Sequence, residues 1–257
     1  MILASDWIAF HADRTPEKLA LIDQHTGRRL SYGDLDERAA KLAGYLREKW
    51  GVQPGDRIAI LAKNSTEYFE FEFACIRLGA LMLPLNWRLA DPEILFILND
   101  AEATGLVYDA EFADRIPLLR DNSTAKHLLR IDSAASGVND GNAEYEAALS
   151  EATEWVMMNP QTSHDTPLTI MYTAGTTGHP KGVIITHGMM FWNAANITTP
   201  TGLNCESVFY GVLPTFHSGG LNLYTNPILH QGGTSIIARQ YDPGLTLESL
   251  SDPALGV

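Results

Sequence analysis

The sequence predicts an α/β protein in which short apolar strands alternate with amphipathic helices. Two observations carry this. From Ile58 to Leu85 an apolar run, a long helical stretch and a second apolar run follow one another with only turn residues between them, the spacing of a βαβ unit. Further on, Leu168–Tyr172 and Val183–Thr186 are short runs rich in β-forming residues, joined by a segment dense in glycine and threonine.

The elements follow in order. Residues 19–23, LALID, read as a strand, and His25–Gly27 as a turn. Ser31 reads as a helix cap with Asp34 three residues on, and Leu35, Ala39, Leu42 and Leu46 then fall on one helical face. That helix stops near Trp50–Gly51. Pro54–Gly55 is a turn, and Ile58–Ala62 reads as a strand buried on both faces. Asn64, with Glu67 three positions later, has the pattern of another cap. The helix it would start, TEYFEFEFACIRL, carries apolar residues in two rows, Tyr68, Phe71, Cys75 and Leu78 in one and Phe69, Phe73 and Ile76 in the other. Such a helix calls for cover from more than one layer. Gly79 ends it and ALMLPL supplies the next strand.

Asp91–Pro92 opens a helix with proline in its first turn, and Gly105–Asp109 is a strand. From Asp114 to about Asn159 the pattern mixes helical fragments with polar loops, and Thr162–Pro167 reads as a surface connector. A helix is expected over Gly188–Asn196, strands within Glu206–Pro214 and Gly232–Arg239, and loop plus helix over Phe216–Ile228. The closing YDPGLTLESLSDPALGV begins a helix and supplies no further strand.

The chain has 257 residues, 45% of them apolar and 19% charged, enough to bury a substantial core and unlike a disordered composition. A formal charge of −13 argues against nucleic acid as the main partner, while leaving room for a local phosphate pocket. Cys75 and Cys205 lack the neighbours of a zinc site and read as buried free thiols. The N-terminus lacks the basic region of a signal peptide, and no apolar run is long enough to span a membrane. The N-x-[ST] triplets at Asn64, Asn122 and Asn196 therefore read as chance matches, and a cytoplasmic, reducing location is expected.

The segment YTAGTTGHPKGVIITH, Tyr172–His187, points to chemistry. Gly175, Gly178 and Gly182 allow backbone N–H groups to turn toward an anion. Thr173, Thr176 and Thr177 add hydroxyls, and Lys181 adds a mobile positive charge. Together they suit a polyphosphate better than an ordinary surface loop. The Walker A order is not met, because Pro180 precedes the lysine and Gly182 follows it.

The segment resembles the phosphate-binding signature of the adenylate-forming superfamily, close to [YF]TSG[TS]TGxPKG, matching at Tyr172, Thr173, Gly175–Gly178 and Pro180–Gly182. Ala174 departs from the usual serine. The resemblance extends to LSYGDLDERAAKLAGYLRE, to the stretch from Gly55 to Leu98, and to LPTFHSGGL, Leu213–Leu221. It implies a layered αβαβα N-terminal domain, with residues of about 56–186 mostly in one sheet and about 1–50 and 188–257 in part of the second. It implies ATP, Mg²⁺ and coenzyme A, and an acid–thiol ligase that forms acyl-AMP and then acyl-CoA from a fatty or aryl carboxylic acid.

By the same resemblance, Lys181 and Thr173 would be catalytic. The phosphates would be held by Thr173, Ala174, Gly175, Thr176, Thr177, Gly178, Lys181 and Gly182, and the metal would lie near Thr176. His217, Ser218, Gly219 and Gly220 would line the acyl pocket. Two other readings stand beside it: an adenylation module that loads a carrier protein, and a nucleotide- or protein-binding fragment without turnover. The family's adenine, ribose and hinge segments and its later catalytic lysine do not occur in these residues. The chain is thus expected to be an N-terminal portion, inactive alone as a synthetase, with an apolar edge that favours self-association.

Overall fold

The computed structural model describes residues 1–131, 143–173 and 180–251. In chain order the elements are α1 (Trp7–Arg14), β1 (Leu19–Asp23), β2 (Arg29–Ser31), α2 (Tyr32–Trp50), β3 (Arg57–Leu61), α3 (Thr66–Leu78), β4 (Leu81–Pro84), α4 (Asp91–Asp100) and β5 (Gly105–Asp109). A 3₁₀ turn, Ala110–Arg115, leads into α5 (Ile116–Asn122), β6 (His127–Ile131), β7 (Ala143–Glu144) and α6 (Tyr145–Glu151). Then come β8 (Pro167–Thr173), β9 (Lys181–Thr186), α7 (His187–Thr201) and β10 (Val208–Gly211). The helical turn α8 (Ser218–Gly220), a π-type turn over Leu221–Thr225, α9 (Asn226–Gln231), β11 (Thr234–Ile237) and α10 (Pro243–Ser251) complete the chain.

Two sheets result. The larger has the order β7-β6-β5-β3-β4-β8-β9, parallel throughout except for the antiparallel last pair. The smaller has the order β10-β11-β1-β2, with only β1 and β2 antiparallel. The alternation of β3 shows how the layers form. Ile58 and Ile60 join the core shared with α1, α2 and α3, whereas Ala59 and Leu61 join a second core under α4 and α5. Helix α3 touches α2, β4 of the large sheet and β1 of the small one, and all thirteen of its residues are buried. The Tyr32 hydroxyl at the start of α2 donates to the carbonyl of Gly233 at 2.7 Å, tying this helical layer to the small sheet. On the far side of that sheet, Tyr210 donates to Gln24, and Gln24 donates to Ser249 of α10. The layering is αβαβα.

Several local expectations change on folding. Ser31 does cap α2 in a full capping box with Asp34. Asn64, by contrast, is not the cap of α3. Ser65 holds that position without a side-chain bond, and the Asn64 amide is taken up by distant backbone. Glu67 pairs with Arg28 at 2.7 Å instead of reaching back to a cap. Cys75 is buried but Cys205 is exposed, in the polar turn ahead of β10. Three elements go beyond the sequence reading. Helix α1 is capped by Asp6, which accepts from Ile8 and Ala9. The short β2 pairs with β1, and β6 extends the large sheet next to β5. Helix α7 starts at His187, capped by Thr186, and runs on to Thr201.

Burying α3 on all sides also buries its charges. Arg77 donates to Asp6 at 2.8 Å, to the Asp36 carbonyl at 2.7 Å and to the Asp36 carboxylate. Burial pushes Glu70 up to about 7, although the Arg38 Nε lies 3.0 Å from its carboxylate. Burial likewise raises Glu72 to about 7, where its hydrogen-bond partner among the described residues is the Asn226 amide at 2.8 Å. Stability linked to Glu72 is therefore full below pH 4.5, where folded and unfolded chains both hold the proton. It is lost as pH rises toward 7, because the unfolded chain releases the proton first. Glu72→Gln keeps an acceptor for Asn226 and carries no titrating charge. It should raise stability at pH 8 by up to about 3 kcal/mol and change it little at pH 4.5. Denaturant unfolding at the two pH values checks this; an equal effect at both would show that the charge is not what matters.

Candidate functional site

Strand β8 runs parallel to β4 and leaves the carboxyl edge of the large sheet at Thr173; the chain returns antiparallel as β9 from Lys181. Thr173 stands directly opposite Lys181, and Tyr172 opposite Gly182. Directly opposed residues share a face, with Cβ atoms about 4.5–5.5 Å apart. Thr173 and Lys181 are both exposed. Alternation along β8 sets Thr173 on the face that carries Met171, a member of the core shared by the two sheets. On the other face the Tyr172 hydroxyl donates to Asp100 at the end of α4, at 2.5 Å. The segment 174–179, with Ala174, Gly175, Thr176, Thr177 and Gly178, lies outside the described residues. Gly182 has a packing reason of its own: a Cβ there would meet Ile170 Cγ2 at 2.9 Å and the Tyr172 ring at 3.2 Å.

The second group, His217–Gly220, follows the carboxyl end of β10. His217 is exposed and starts α8; its Nδ1 accepts from the Gly219 N–H at 3.1 Å. An accepting Nδ1 puts the ring proton of neutral imidazole on Nε2, leaving an N–H donor for an incoming anion. Ser218 is exposed beside it. Gly220 is buried where the loop closes on itself: a Cβ there would stand 2.2 Å from the Pro214 carbonyl oxygen. Among the described residues no hydrogen bond joins Thr173 or Lys181 to the His217 turn.

What connects the two groups is the edge between them. After β4, next to β8, Trp87 packs edge-on against Phe216 with ring centres 6.3 Å apart. The Arg88 guanidinium lies 4.8 Å from the centre of the Trp87 ring and 5.6 Å from that of Phe216. After β3, Lys63 pairs with Glu111, and Arg239 after β11 donates to Asp109 at 2.5 Å and to Glu111 at 2.9 Å. A cavity of about 550 Å³ opens beside them, lined in part by Gln24, Lys63, Tyr210 and Arg239. It lies by the carboxyl ends of β3 and β5, where the strand order reverses, the usual position for a ligand crevice in such sheets. The sequence reading missed Lys63, Trp87, Arg88 and Arg239 as part of this edge. The resemblance over Gly55–Leu98 covers Lys63, Trp87 and Arg88 without singling them out, and Arg239 lies outside it. Among the described residues no group of three or more His, Cys, Asp or Glu could hold a metal ion, and no helix is long and apolar enough to cross a membrane.

A doubly wound sheet that meets a second, mostly parallel sheet at their carboxyl ends defines a layered α/β domain with a crevice between its sheets. The chain belongs to the AMP-binding enzyme family, which it matches over residues 8–252. It is 37% identical to the indoleacetate–CoA ligase of Aromatoleum aromaticum, over 96% of this chain and 47% of that protein. It is 35% identical to a feruloyl-CoA synthase of an Amycolatopsis species, over 95% of this chain and 45% of that one. The structure of ATP-bound MatB from Rhodopseudomonas palustris superposes with a TM-score of 0.82 at 26% identity, covering 96% of this chain and 48% of that one. The chain spans about half the length of the curated relatives it matches.

The glycines of the His217 turn make separable claims. Gly220→Ala forces a side chain onto a backbone oxygen and should cost about 1–3 kcal/mol. Gly219→Ala, whose added carbon would lie 3.4 Å from His217 Nδ1, is in ordinary contact and should cost less. Urea midpoints of the two variants test the order; equal losses would mean that the turn does not depend on the Pro214 approach.

Proposed function

We propose that the protein carrying this chain is an ATP-dependent acid–CoA ligase acting on an aryl or fatty carboxylic acid. The observation that carries this is the cross-strand pairing of Thr173 with Lys181 at the two ends of the glycine- and threonine-rich segment. It puts a hydroxyl and an exposed ammonium on one face at the edge of the sheet. No carboxylate among the described residues pairs with that ammonium, so it suits an anionic phosphate chain. The indoleacetate and feruloyl specificities of the relatives favour the aryl class.

The first step joins two anions. An oxygen of the acid attacks the α-phosphorus of ATP, the bond to the bridging oxygen breaks, and pyrophosphate leaves with that electron pair. The acid is already ionised, so no general base is needed. In this reading Lys181, the hydroxyls of Thr173, Thr176 and Thr177, and the backbone of Ala174, Gly175, Gly178 and Gly182 offset the phosphate charge as it shifts toward pyrophosphate. Mg²⁺ would neutralise part of the same charge, and Thr176 is the residue we propose to hold it. The Nε2–H of His217 faces the acid, with Ser218 and the Gly219–Gly220 backbone forming the pocket mouth. In the second step the thiol of coenzyme A attacks the acyl carbon and AMP departs. Two unpaired cysteines suit a reducing compartment, and we assign the protein to the cytoplasm.

Acid-dependent exchange of pyrophosphate into ATP by the intact protein, run over a panel of aromatic and fatty acids, tests the first step. An exchange that no acid stimulates would overturn the ligase reading. Thioester formation with coenzyme A, rather than with a carrier protein, tests the second. Lys181→Ala should lower kcat/KM for ATP by about ten- to a hundredfold, the cost of a charge-assisted contact, with the acid KM little changed. Ala174→Ser, which restores a hydroxyl, should alter the rate by no more than about threefold.

A further inference from the structure

A buried amide of the large sheet's β3–α3 connection holds the His217 turn through hydrogen bonds, beside the Trp87–Phe216 ring contact. Asn64 lies between β3 and α3 and is 4% exposed. Its Nδ2 donates to the Leu213 carbonyl at 2.9 Å and to the Ala238 carbonyl at 3.0 Å. Its Oδ1 accepts from the Thr215 backbone N–H at 2.9 Å and from the Thr215 hydroxyl at 3.0 Å. An asparagine amide has two N–H donors and two acceptor lone pairs, so all its hydrogen-bonding capacity is spent. The partners are 149 to 174 residues away in the chain and belong to the connections that follow β10 and β11 of the small sheet. Asn64 belongs to the connection after β3 of the large one.

The bonds fall where His217 is decided. His217 donates its backbone N–H to the Pro214 carbonyl at 3.1 Å, inside the stretch that Asn64 grips. From there the chain closes at Gly220, whose carbonyl accepts from the Thr225 hydroxyl at 3.0 Å. The span 213–220 is thus an arch with one foot on Asn64 and the other on the Gly220–Pro214 contact. Asn64 itself rides on β3, and β3 is bonded through β4 to β8, which ends at Thr173. This amide therefore supplies the directional hydrogen bonds that set the arch carrying His217 relative to the sheet that carries Thr173 and Lys181, where Trp87 on Phe216 adds only a ring contact.

We infer that Asn64 is a positioning residue that sets the acid-binding arch against the phosphate-binding strands. This rests on the functional reading above. An apolar residue of similar size could fill the space, but it would take this partner from the buried Ala238 carbonyl, from the buried N–H and hydroxyl of Thr215 and from the part-buried Leu213 carbonyl. The arch would then shift to reach water, carrying His217 with it and leaving the β8–β9 pair where it is.

The test uses the intact protein and the pyrophosphate exchange assay, with acid and ATP varied separately. Asn64→Ala should raise the acid KM by about tenfold, the effect of a lost buried hydrogen bond, and the ATP KM by less than about threefold. Combining it with His217→Ala should give an acid KM no higher than that of His217→Ala alone, because Asn64 acts through that side chain. Thr215→Val removes one of the four bonds at nearly constant volume and should move the acid KM in the same direction by a smaller factor. If Asn64→Ala does not fold, Thr215→Val decides by the same comparison. Equal rises in the two KM values, or full additivity with His217→Ala, would reduce Asn64 to a general stabiliser and overturn the proposal. If His217→Ala raises the acid KM and neither other variant does, the pocket reading stands and the positioning role fails. If His217→Ala has no effect on the acid, the pocket reading fails and takes the positioning role with it.

Discussion

A helix with no solvent-facing side is the constraint on which the molecule is built. All of α3 is buried, so it must be roofed and floored by separate layers. The large sheet supplies one surface through β4, the small sheet another through β1, and α2 packs along it. Burial of Tyr68, Phe69, Phe71 and Phe73 supplies a large apolar term, since each aromatic ring removes on the order of 150–250 Å² from water. The charged residues of the same helix turn that attraction into a particular arrangement. Arg77 requires Asp6 and Asp36, Glu67 requires Arg28, and Glu72 requires Asn226. A slip of one helical turn would leave Arg77 and Glu67 without their ion-pair partners, at a cost of about 3–5 kcal/mol for each broken pair, and Glu72 without its hydrogen bond. The packing thus fixes both the docking of the sheets and its register.

This explains which parts of the fold were legible in the sequence. The two aromatic rows of α3, the two-sided burial of β3 and the capping box of Ser31 and Asp34 are local patterns, and they survive folding unchanged. Helix α1 was legible too, since Asp6 precedes WIAFHADR in the manner of a cap. Strand β2 has three residues, too few for a period to register, and exists because β1 lies beside it. Asn64 misleads for a deeper reason. Asn-x-x-Glu is a sound cap pattern, but two carbonyls and an N–H from the other sheet outbid one local N–H for the same amide. Neither residue 213 nor residue 238 announces that need in sequence.

The candidate site divides along the same line. The phosphate segment was legible because its chemistry is contiguous: glycines, hydroxyls and a lysine between two strands. The register that sets Thr173 across from Lys181 follows once those strands pair. His217 came from a contiguous motif as well. The surface between the two groups did not, because it is assembled from the ends of four separate strands. Trp87 follows β4, Lys63 follows β3, Glu111 follows β5 and Arg239 follows β11. Each is an unremarkable loop residue on its own.

The charges at this edge also show how the cavity between the sheets differs from the surroundings of Lys181. Lys63 and Arg239 line the cavity between the sheets, but Glu111 holds both of them and Asp109 holds Arg239 as well. Two cations facing two carboxylates leave little net field there. The two carboxylates raise Arg239 against the effect of its burial, and Lys63 and Arg239 together pull Glu111 below the usual carboxylate range. A triphosphate brought to that spot would have to displace ion pairs already made. Lys181 stands apart from this network, exposed on β9, on a chain whose net charge is −13. In an acidic protein most cations are claimed by neighbouring carboxylates. An ammonium left outside those pairs, beside a hydroxyl of matching register, keeps its full attraction for an anion from solution.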